Sequence, residues 1–346
     1  MKNVLIILFT SLIIFGCNTN KNLPVKTADK FAFDTTAIKT TPVYNPNKAV
    51  KLEYKLGKGK TYNYRLTTIT NSKQTIKTDT TLVQDVLQKL TYIINLKPVD
   101  VDKNGVMEIR FTFTNIKLDA EANGNPFTYE SGVTKDSAEI LKYADYESMI
   151  NNPFTLRINK KGELLEIFRT DRILTKLLDM QGYSDSLNAT QNNELKNNLE
   201  EGVLKPLIFQ LFRKIPTHKV AKDSTWAFTL PASKFMVFLM QNTNTYKFIS
   251  IGKMGNDEIV FLKDGMRTKI SGNNTFTEKG VTYKFDKPKT NANGEIYFNL
   301  TKGCLQKAKR STSMNLFFTM DANTPKLKQK GSKNTVIENT YIVELL

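Results

Sequence analysis

Apolar and polar residues alternate over short runs along most of the chain. The clearest runs are 52–56, 62–66, 90–96 and 107–113 in the first half, and 226–230, 296–300 and 341–345 in the second. Alternation of this kind is typical of β-strands that bury one face and expose the other. Because buried parallel strands are apolar on both faces, the pattern predicts antiparallel strands.

A second pattern, apolar residues at helical spacing, lies between these two groups of runs. It includes residues 135–150 and the stripe formed by Ile173, Leu174, Leu177 and Leu178. Thr170 and Asn188 are expected to cap helices, and Pro206 to kink or restart the last helix. Together the patterns predict an α+β fold, with a mostly antiparallel β-sheet of two weakly related β-regions and an intervening group of helices.

The sequence divides into four predicted segments, of which the last two follow from these patterns. They are a lipoprotein signal peptide at 1–16, a lipidated cysteine and flexible tether at 17–48, an N-terminal β-region with the helical insert at 49–222, and a C-terminal β-region at 223–346. The two β-regions share short similarities, such as Asn104-Gly105 and Asn293-Gly294, each of which precedes an alternating run. These similarities indicate a weak duplication without a strict period.

The chain begins with a leader. Residues 1–3 form a short basic region, and residues 4–15 are an apolar run shorter than the roughly 20 residues of a membrane-spanning helix. The run ends at Gly16-Cys17, which resembles a bacterial lipobox, where cleavage leaves a lipidated cysteine at the new N-terminus. An ordinary signal peptide or a short membrane anchor is the alternative.

The predicted lipidation bears on location and on cysteine chemistry. Residues 18–48 are rich in Asn, Thr, Lys and Pro, which favours a flexible tether between the membrane, bound through the N-terminal lipid, and the folded chain. The lipidation predicts a lipid-anchored protein of the cell envelope, with the outer membrane favoured. Surface-exported lipoproteins often carry an acidic run after this cysteine, and none follows Cys17, which favours the periplasm over the cell surface. Cys304 is left as a lone thiol, for which a buried, inert position is expected.

Three segments of the chain resemble a known family. They are 52–62 (LEYKLGKGKTY), 153–164 (PFTLRINKKGEL) and 294–303 (GEIYFNLTKG). Together with the leader, they resemble a lipoprotein family of Bacteroidota that is catalogued only as a domain of unknown function. The resemblance implies no catalytic residues. The layout is also similar to envelope lipid carriers, in which a curved antiparallel sheet holds an apolar ligand beneath helices, and this similarity is an analogy of fold.

The chain is strongly basic. Its formal net charge of +17 comes from 42 lysines, spread along the whole sequence, and only 8 arginines. Nucleic-acid sites favour clustered arginines with aromatic residues, so we expect no nucleic acid as a partner. The charge predicts a solvated, lysine-rich surface, and attraction to anionic lipid or polysaccharide is the alternative.

One segment resembles a metal-binding loop. Asp100, Asp102, Asn104 and Gly105 match the first half of a calcium loop, but Phe111 stands where that loop needs a bidentate glutamate. The segment therefore predicts a β-hairpin turn, in which Asn104-Gly105 supply residues of positive φ. We expect neither a metal nor a cofactor.

Few residues are available for catalysis. His218 is the only histidine in the sequence, and there is no serine elbow, glycine-rich phosphate loop or Cys-x-x-Cys pair. A glycosidase needs two carboxylates, and pairs such as Glu163 and Glu166 leave that reaction open. The chain is expected not to be an enzyme.

Five triplets of Asp followed by Ser or Thr are similar to the O-glycosylation acceptor of Bacteroidota envelope proteins. The acceptor residues are Thr35, Thr80, Ser137, Ser186 and Ser224. Asp and Ser also cap helices, so helix N-caps at Asp136 and Asp185 are the alternative for two of the triplets.

These patterns predict a non-catalytic binding protein of the cell envelope. Aromatic strand residues beneath amphipathic helices favour a carrier or sensor of an apolar ligand, with the stripe of Ile173, Leu174, Leu177 and Leu178 as its lid. The alternative is a structural module that docks an envelope protein or polysaccharide through its basic face. The oligomeric state does not follow from the sequence.

Overall fold

The computed structural model describes residues 29–134, 136–184, 186–324 and 327–346. Sixteen strands in this part of the chain form one antiparallel sheet. The strands are β1 (Thr41–Pro42), β2 (Tyr62–Lys77), β3 (Thr81–Val101), β4 (Met107–Ala122), β5 (Asn125–Glu130), β6 (Phe154–Ile158), β7 (Leu164–Phe168), β8 (Thr225–Thr229), β9 (Ser233–Phe235), β10 (Phe238–Met254), β11 (Asp257–Gly272), β12 (Thr275–Glu278), β13 (Val281–Phe285), β14 (Lys289–Asn299), β15 (Cys304–Thr324) and β16 (Leu327–Leu345).

The C-terminal strand joins the two predicted β-regions. Across the sheet the strands follow the order β1-β10-β11-β14-β15-β16-β2-β3-β4-β6-β7. The remaining short strands β5, β8, β9, β12 and β13 pair with β4, β10, β10, β13 and β15 respectively. β16 pairs with β2 from Ser332 opposite Lys77 to Leu345 opposite Tyr64. No boundary therefore separates the two regions. The predicted antiparallel pairing is confirmed, but the α+β fold with a group of helices is wrong, because the chain forms one large open sheet with few helices.

The helices are short and lie on one face of the sheet. They are α1 (Ser137–Lys142), α2 (Ala144–Met149), α3 (Asp171–Gln181), α4 (Ala189–Asn197) and α5 (Lys205–Leu211), with a π-helical segment at Asn198–Leu204. The helix predicted over 135–150 is divided at Tyr143 into α1 and α2. Asn188 caps α4 as predicted, and Pro206 stands in the first turn of α5, where the helix restarts. Within the described residues, no helix has the length and apolar character needed to cross a membrane.

One face of the sheet, called the inner face, carries the hydrophobic core. Leu66 and Ile94 are fully buried on this face, at neighbouring strands β2 and β3. The rings of Phe111, Phe113 and Phe154 contact one another, with centroids 4.8–6.2 Å apart. Alternation along each strand thus directs every second side chain into one apolar layer, which the helices cover.

The long strands continue past this core into a second region, called the distal half, which combines many polar residues with a small hydrophobic cluster of Phe238, Met240, Phe285 and Leu316. It comprises residues 70–88, 238–244, 266–272, 312–324 and 327–339. Polar side chains pair across its inner face: the Thr70 hydroxyl donates to Asn339 Oδ1 at 2.7 Å, and the Thr268 hydroxyl to Asn242 Oδ1 at 2.7 Å. Burial of apolar surface therefore stabilises this half less than the core half.

Residues 29–43 cross the opposite, outer face of the sheet as a strap. Phe31 is only 4% exposed, and the Lys117 ammonium of β4 lies 5.6 Å from the centroid of its ring. At the other end of the strap, Thr41 and Pro42 pair with β10. This part of the predicted tether therefore lies on the sheet.

Two buried charged residues of the sheet, Lys307 and Glu344, hold the middle of the strap at Asp34. Asp34 accepts a hydrogen bond from Lys307 Nζ at 2.9 Å, and its backbone NH donates to Glu344 Oε1 at 3.1 Å. Glu344 also accepts from Arg65 Nε at 2.9 Å. Hydrogen bonds from the Thr36 backbone and from Lys307 hold the pKa of the Asp34 carboxyl well below its usual range. The carboxylate therefore stays ionised and bound at neutral pH.

Residues 52–56 alternate in burial although they lie outside the sheet. They do not form the predicted strand, yet Leu52, Tyr54 and Leu56 are at most 3% exposed. The backbone NH of Tyr54 donates to the Lys160 carbonyl at 2.9 Å, outside any strand. An extended segment can thus bury alternate side chains without joining the sheet, because alternation follows burial and not strand pairing.

Candidate functional site

A row of polar and aromatic side chains crosses the inner face where the core ends. In register on successive strands lie Trp226, Tyr246, Asp264, Gly294, Arg310 and Tyr341. Residues paired across antiparallel strands share a face of the sheet. The register therefore places the Asp264 carboxylate of β11 close to the Arg310 guanidinium of β15, across Gly294 of the intervening strand β14.

Three residues of this region form a buried charge cluster, namely Arg213, Asp264 and Arg310. They are 7%, 7% and 8% exposed, and Arg213 reaches the row from the segment after α5. Arg310 Nη1 lies 3.4 Å from Asp264 Oδ2, and Arg310 Nη2 donates to Asn244 Oδ1 at 2.9 Å. Burial raises the pKa of Asp264, and the two arginines oppose that shift. Burial also lowers the pKa of Arg310.

Five buried side-chain atoms lack a hydrogen-bond partner among the described residues, and all belong to this row or to the buried charge cluster. They are Arg213 Nε, Trp226 Nε1, Asp264 Oδ1, Asp264 Oδ2 and Arg310 Nε. A buried polar atom without a partner costs about 1–3 kcal/mol. The row is therefore the place in the described interior that can still donate and accept hydrogen bonds.

Gly294 makes the approach of Asp264 to Arg310 possible. It lies inside β14, so the Asn293-Gly294 pair is not a turn like Asn104-Gly105, and the predicted similarity of the two sites is wrong. A Cβ atom at Gly294 would collide with Asp264 Oδ1 and lie 2.8 Å from the Lys309 carbonyl oxygen. Glycine inside a strand often marks such a close approach.

A groove of about 510 Å³, called the lysine groove, lies on the outer face of the distal half. Its lining consists of Thr75, Lys77, Asp286, Lys287, Lys289, Asn315, Phe317, Ser332 and Asn334. Thr75, Asn334 and Phe317 are in register across β2, β16 and β15 and form the floor. The Asp286 backbone NH donates to the Phe317 carbonyl at 2.9 Å, which fixes the link that carries Lys287 beside the floor.

The lysines of this groove are available to a ligand. Lys77, Lys287 and Lys289 are exposed, and none forms an ion pair with another residue in the described part of the chain. Asp286 is the one carboxylate among the lining residues. The groove therefore combines positive charge with amide and hydroxyl groups and one aromatic ring.

The predicted lid stripe packs into the core. Ile173 is fully buried, Leu174 and Leu178 are 8% and 7% exposed, and Leu177 is partly exposed. The helix that carries the stripe packs against α2. None of the four residues lines the lysine groove or the arginine cleft described below.

Two substitutions in α3 test this packing. Ile173→Ala is expected to lower the free energy of unfolding by about 2–5 kcal/mol, because it leaves a cavity in the core. Leu177→Ala also introduces alanine into α3, but at a partly exposed position. The loss of unfolding free energy in this variant should therefore be clearly smaller. Denaturant unfolding of both variants measures the difference. Equal losses would contradict the burial described.

The predicted modification sites differ in accessibility. Four acceptors are exposed, namely Thr35, Thr80, Ser137 and Ser186. Ser224 is partly exposed, and its hydroxyl accepts a backbone hydrogen bond. Asp136 caps α1 through its side chain, whereas Asp185 lies outside the described residues. Gly16 and Cys17, with the rest of the signal peptide, also lie outside them, so cleavage and lipidation stay predictions.

The residues considered for catalysis are not assembled into a site. Cys304 is 1% exposed, and burial raises the pKa of its thiol to about 11, which keeps it protonated at neutral pH. A hydrogen bond from Lys214 holds the pKa of Glu163 below its usual value, whereas a glycosidase acid needs a raised pKa. Glu166 faces an arginine 3.8 Å away, and His218 is exposed.

The calcium-like segment is a turn, as predicted. Asp102 Oδ1 accepts hydrogen bonds from the backbone NH groups of Asn104 and Val106 at 2.8 and 2.9 Å. Gly105 has a φ of 79°, which closes the connection between β3 and β4, whereas Asn104 does not have the positive φ that was also expected of it. Over the described ranges, no three or more His, Cys, Asp or Glu side chains are grouped closely enough to hold a metal ion.

The sequence model of a family of unknown function, DUF6263, matches residues 104–305, which is more than half of the chain. This chain belongs to the DUF6263 family. The expectation of a family of unknown function is thereby confirmed, whereas a Bacteroidota source and lipoprotein status for this DUF6263 protein stay predictions. No curated protein sequence matches the chain.

Solved structures resemble this DUF6263 protein only distantly. A structure of lipovitellin, solved to study its lipid–protein interactions, is 14% identical with a TM-score of 0.40, and the alignment covers 84% of this chain and 25% of that one. The chain thus spans about a quarter of the length of lipovitellin. OpdQ from Pseudomonas aeruginosa is 6% identical with a TM-score of 0.20, covering 82% of this chain and 98% of its own. At these TM-scores neither likeness bears on function.

The sequence patterns missed the buried charge cluster and the lysine groove. A usable signal existed for the first, since Gly294 interrupts a strand pattern and marks a close approach of other atoms. For the groove there was no local signal. Lys77 and Lys289 come together only through the pairing of β2, β16, β15 and β14.

Proposed function

We propose that this protein is a non-catalytic docking module of the cell envelope that binds an acidic polysaccharide in the lysine groove. The observation that carries the proposal is the set of three lysines without ion-pair partners in the described part of the chain, around a polar floor with one aromatic ring. The net charge of +17 adds a long-range attraction for polyanions. This function corresponds to the alternative that the sequence left open.

The chemistry of an acidic sugar matches the groove. Its carboxylate is attracted by Lys77, Lys287 and Lys289, and a lysine on a flexible stem can follow a charge that varies in position along a polymer. Its hydroxyl groups can donate to and accept from amides such as Asn334. The apolar edge of its ring can lie on Phe317. The volume of about 510 Å³ is in the range of small-molecule sites.

Two observations favour docking over the other functions considered. Hydrolysis of a glycoside needs two carboxylates, and the lining of the groove offers Asp286 alone. A carrier of an apolar ligand needs an apolar cavity, and the helix expected to roof one buries Ile173 in the core. The apolar carrier predicted from the sequence therefore has less support than docking.

Binding of polygalacturonate tests the proposal. We expect wild-type protein to bind this polymer saturably and not to bind neutral dextran, as measured by biolayer interferometry at physiological salt. Lys287→Glu combined with Lys289→Glu should weaken binding at least tenfold, since two attractions become repulsions. Phe317→Ala should also weaken binding, although it leaves the net charge unchanged.

A charge-matched control separates the groove from the overall charge of the chain. Lys263→Glu combined with Lys269→Glu changes the net charge equally on β11, away from the groove, and should leave affinity nearly unchanged. Equal losses in both double variants, with no effect of Phe317→Ala, would show attraction by bulk charge and refute the site. Saturable uptake of an apolar fluorescent probe, without binding of polygalacturonate, would instead favour the carrier.

We also propose that the mature chain is lipid-anchored at Cys17 and faces the periplasm from the outer membrane. The support comes from the sequence of the leader, in which an apolar run ends at Gly16-Cys17. The first residue of the strap, Asp29, follows after eleven residues (18–28). The docking surface would then be held near a membrane and its associated polysaccharides.

A further inference from the structure

A second cavity, called the arginine cleft, lies between β4, β6 and the start of α3. Its volume is about 480 Å³, and it is lined by Arg110, Pro153, Thr155, Arg169, Asp171 and Arg172. Three of the eight arginines of the chain thus converge on one cleft, although the chain carries lysine at most of its basic positions. None of the three forms an ion pair with another described residue.

Strand pairing builds the floor of this cleft. Arg110 of β4 lies opposite Thr155 of β6, and Thr155 lies opposite Phe168 of β7. Thr155 is 4% exposed, and its hydroxyl makes no hydrogen bond to another residue in the described part of the chain. A hydroxyl that no described residue engages, at the floor of a cationic cleft, is available to a ligand.

The segment that follows β7 holds the other two guanidinium groups over the floor. Arg169 has a φ of 61°, a left-handed conformation that is uncommon for a residue other than glycine and is often found at functional sites. The Arg169 guanidinium lies 5.5 Å from the centroid of the Phe168 ring. Arg172 comes from the first turn of α3, so both side chains are positioned at the mouth of the cleft.

One carboxylate lines the cleft, but a cation neutralises it. Asp171 Oδ1 accepts a hydrogen bond from Lys196 Nζ at 2.8 Å. The N-cap residue of this helix, Thr170, makes no side-chain hydrogen bond to the first turn, and its hydroxyl donates to Glu200. The charge that remains around the cleft is that of three guanidinium groups.

We propose that the arginine cleft binds a phosphate monoester group. A phosphate of this kind carries about −1.5 to −2 charges and three terminal oxygens near neutral pH. Guanidinium groups bind such oxygens through pairs of parallel N–H donors, which makes arginine better suited than lysine to a compact oxyanion. A carboxylate has one charge and two oxygens and would leave part of this donor set unused.

This site is independent of the lysine groove in both place and chemistry. The groove lies on β2, β16 and β15 in the distal half, whereas the cleft lies on β4, β6 and the start of α3. A failure to bind polygalacturonate would therefore not contradict phosphate binding in the cleft. A failure to bind phosphate would likewise not contradict binding of an acidic polysaccharide in the groove. The phosphate group can belong to a soluble compound or to a lipid headgroup, and the two sources need separate probes.

Two probes test the proposal on the full chain. Inorganic phosphate is titrated by isothermal calorimetry, and co-sedimentation is measured with phosphatidylcholine vesicles that contain phosphatidic acid, against vesicles of phosphatidylcholine alone. We expect saturable binding of at least one phosphate-bearing probe. Arg110→Gln and Arg172→Gln should each weaken it at least tenfold, because each removes charge-assisted hydrogen bonds.

Two further variants keep the test decisive. Arg267→Gln removes an exposed arginine on β11, outside the cleft, and should leave affinity unchanged. Asp171→Asn removes the carboxylate from the cleft and should strengthen binding several-fold, an outcome that a misfolded variant would not give. Binding of inorganic phosphate assigns the site to soluble compounds, and binding of phosphatidic acid vesicles alone assigns it to a membrane surface.

Two results would overturn the proposal. One is the absence of saturable binding of either probe by wild-type protein. The other is an equal loss of binding in Arg110→Gln, Arg172→Gln and Arg267→Gln, which would show that the net charge of the chain and not the cleft attracts phosphate.

Discussion

Gly294→Ala is expected to lower the free energy of unfolding by about 3–5 kcal/mol, since it displaces a carboxylate from a buried ion pair. The new Cβ would collide with Asp264 Oδ1, which lies beside Arg310 Nη1 in the core half of the sheet. The side chain of Asp264 cannot move outward, because it is fully buried. Denaturant unfolding, followed by fluorescence, measures the loss.

A second glycine provides the control. Gly202 stands in the π-helical segment, and a Cβ added there would meet no neighbouring atom within 4 Å, so Gly202→Ala should be neutral or slightly stabilising. The pair of variants compares one added methyl group in two environments. If Gly294→Ala were as stable as Gly202→Ala, the close approach of Asp264 to Arg310 would be refuted.

Cys17→Ser is expected to remove the protein from the membrane fraction and to abolish incorporation of labelled palmitate. Each buried CH₂ of an acyl chain contributes about 0.8 kcal/mol to membrane binding, so loss of two or three chains removes stable anchoring. The variant should be recovered in the soluble periplasmic fraction or with its leader uncleaved. Fractionation and labelling of cells that express each form measure the effect.

The other cysteine offers a matched comparison. Cys304→Ser makes the same substitution at a residue that is 1% exposed within the sheet, and it should leave labelling and membrane fractionation unchanged. The lipobox prediction would be wrong if wild-type protein took up no palmitate. It would also be wrong if wild-type and Cys17→Ser proteins fractionated identically.

The strands could be predicted from the sequence, but their arrangement could not. Alternation at 90–96 and 107–113 reflects burial of one face of each strand. The alternation itself can be recognised from neighbouring residues alone. The pairing of β16 with β2 joins residues more than 250 positions apart and leaves no local mark. Because the sequence does not show this pairing, its pattern indicates two separate β-regions with helices between them, although the sheet is continuous.

The candidate sites were harder to predict than the strands for a related reason. Arg110, Arg169 and Arg172 are ordinary basic residues in the sequence, and their convergence depends on the turn of the chain after β7. Asp264 follows a continuous apolar run at 259–262 and faces inward beside the core. A polar residue at an inward position can be recognised only when the face of its strand is known.

The strap limits how far the sheet can travel from an anchor at Cys17. Eleven residues, 18–28, precede it, and a fully extended chain of that length reaches roughly 40 Å. Tension applied at residue 29 would break the contacts of Phe31 with the sheet first and those of Asp34 next. The strap would therefore detach from its N-terminal end. Complete release as far as residue 43 would extend the leash to roughly 90 Å. The contacts of Asp34 with Lys307 and Glu344 would therefore limit the distance between the sheet and such an anchor.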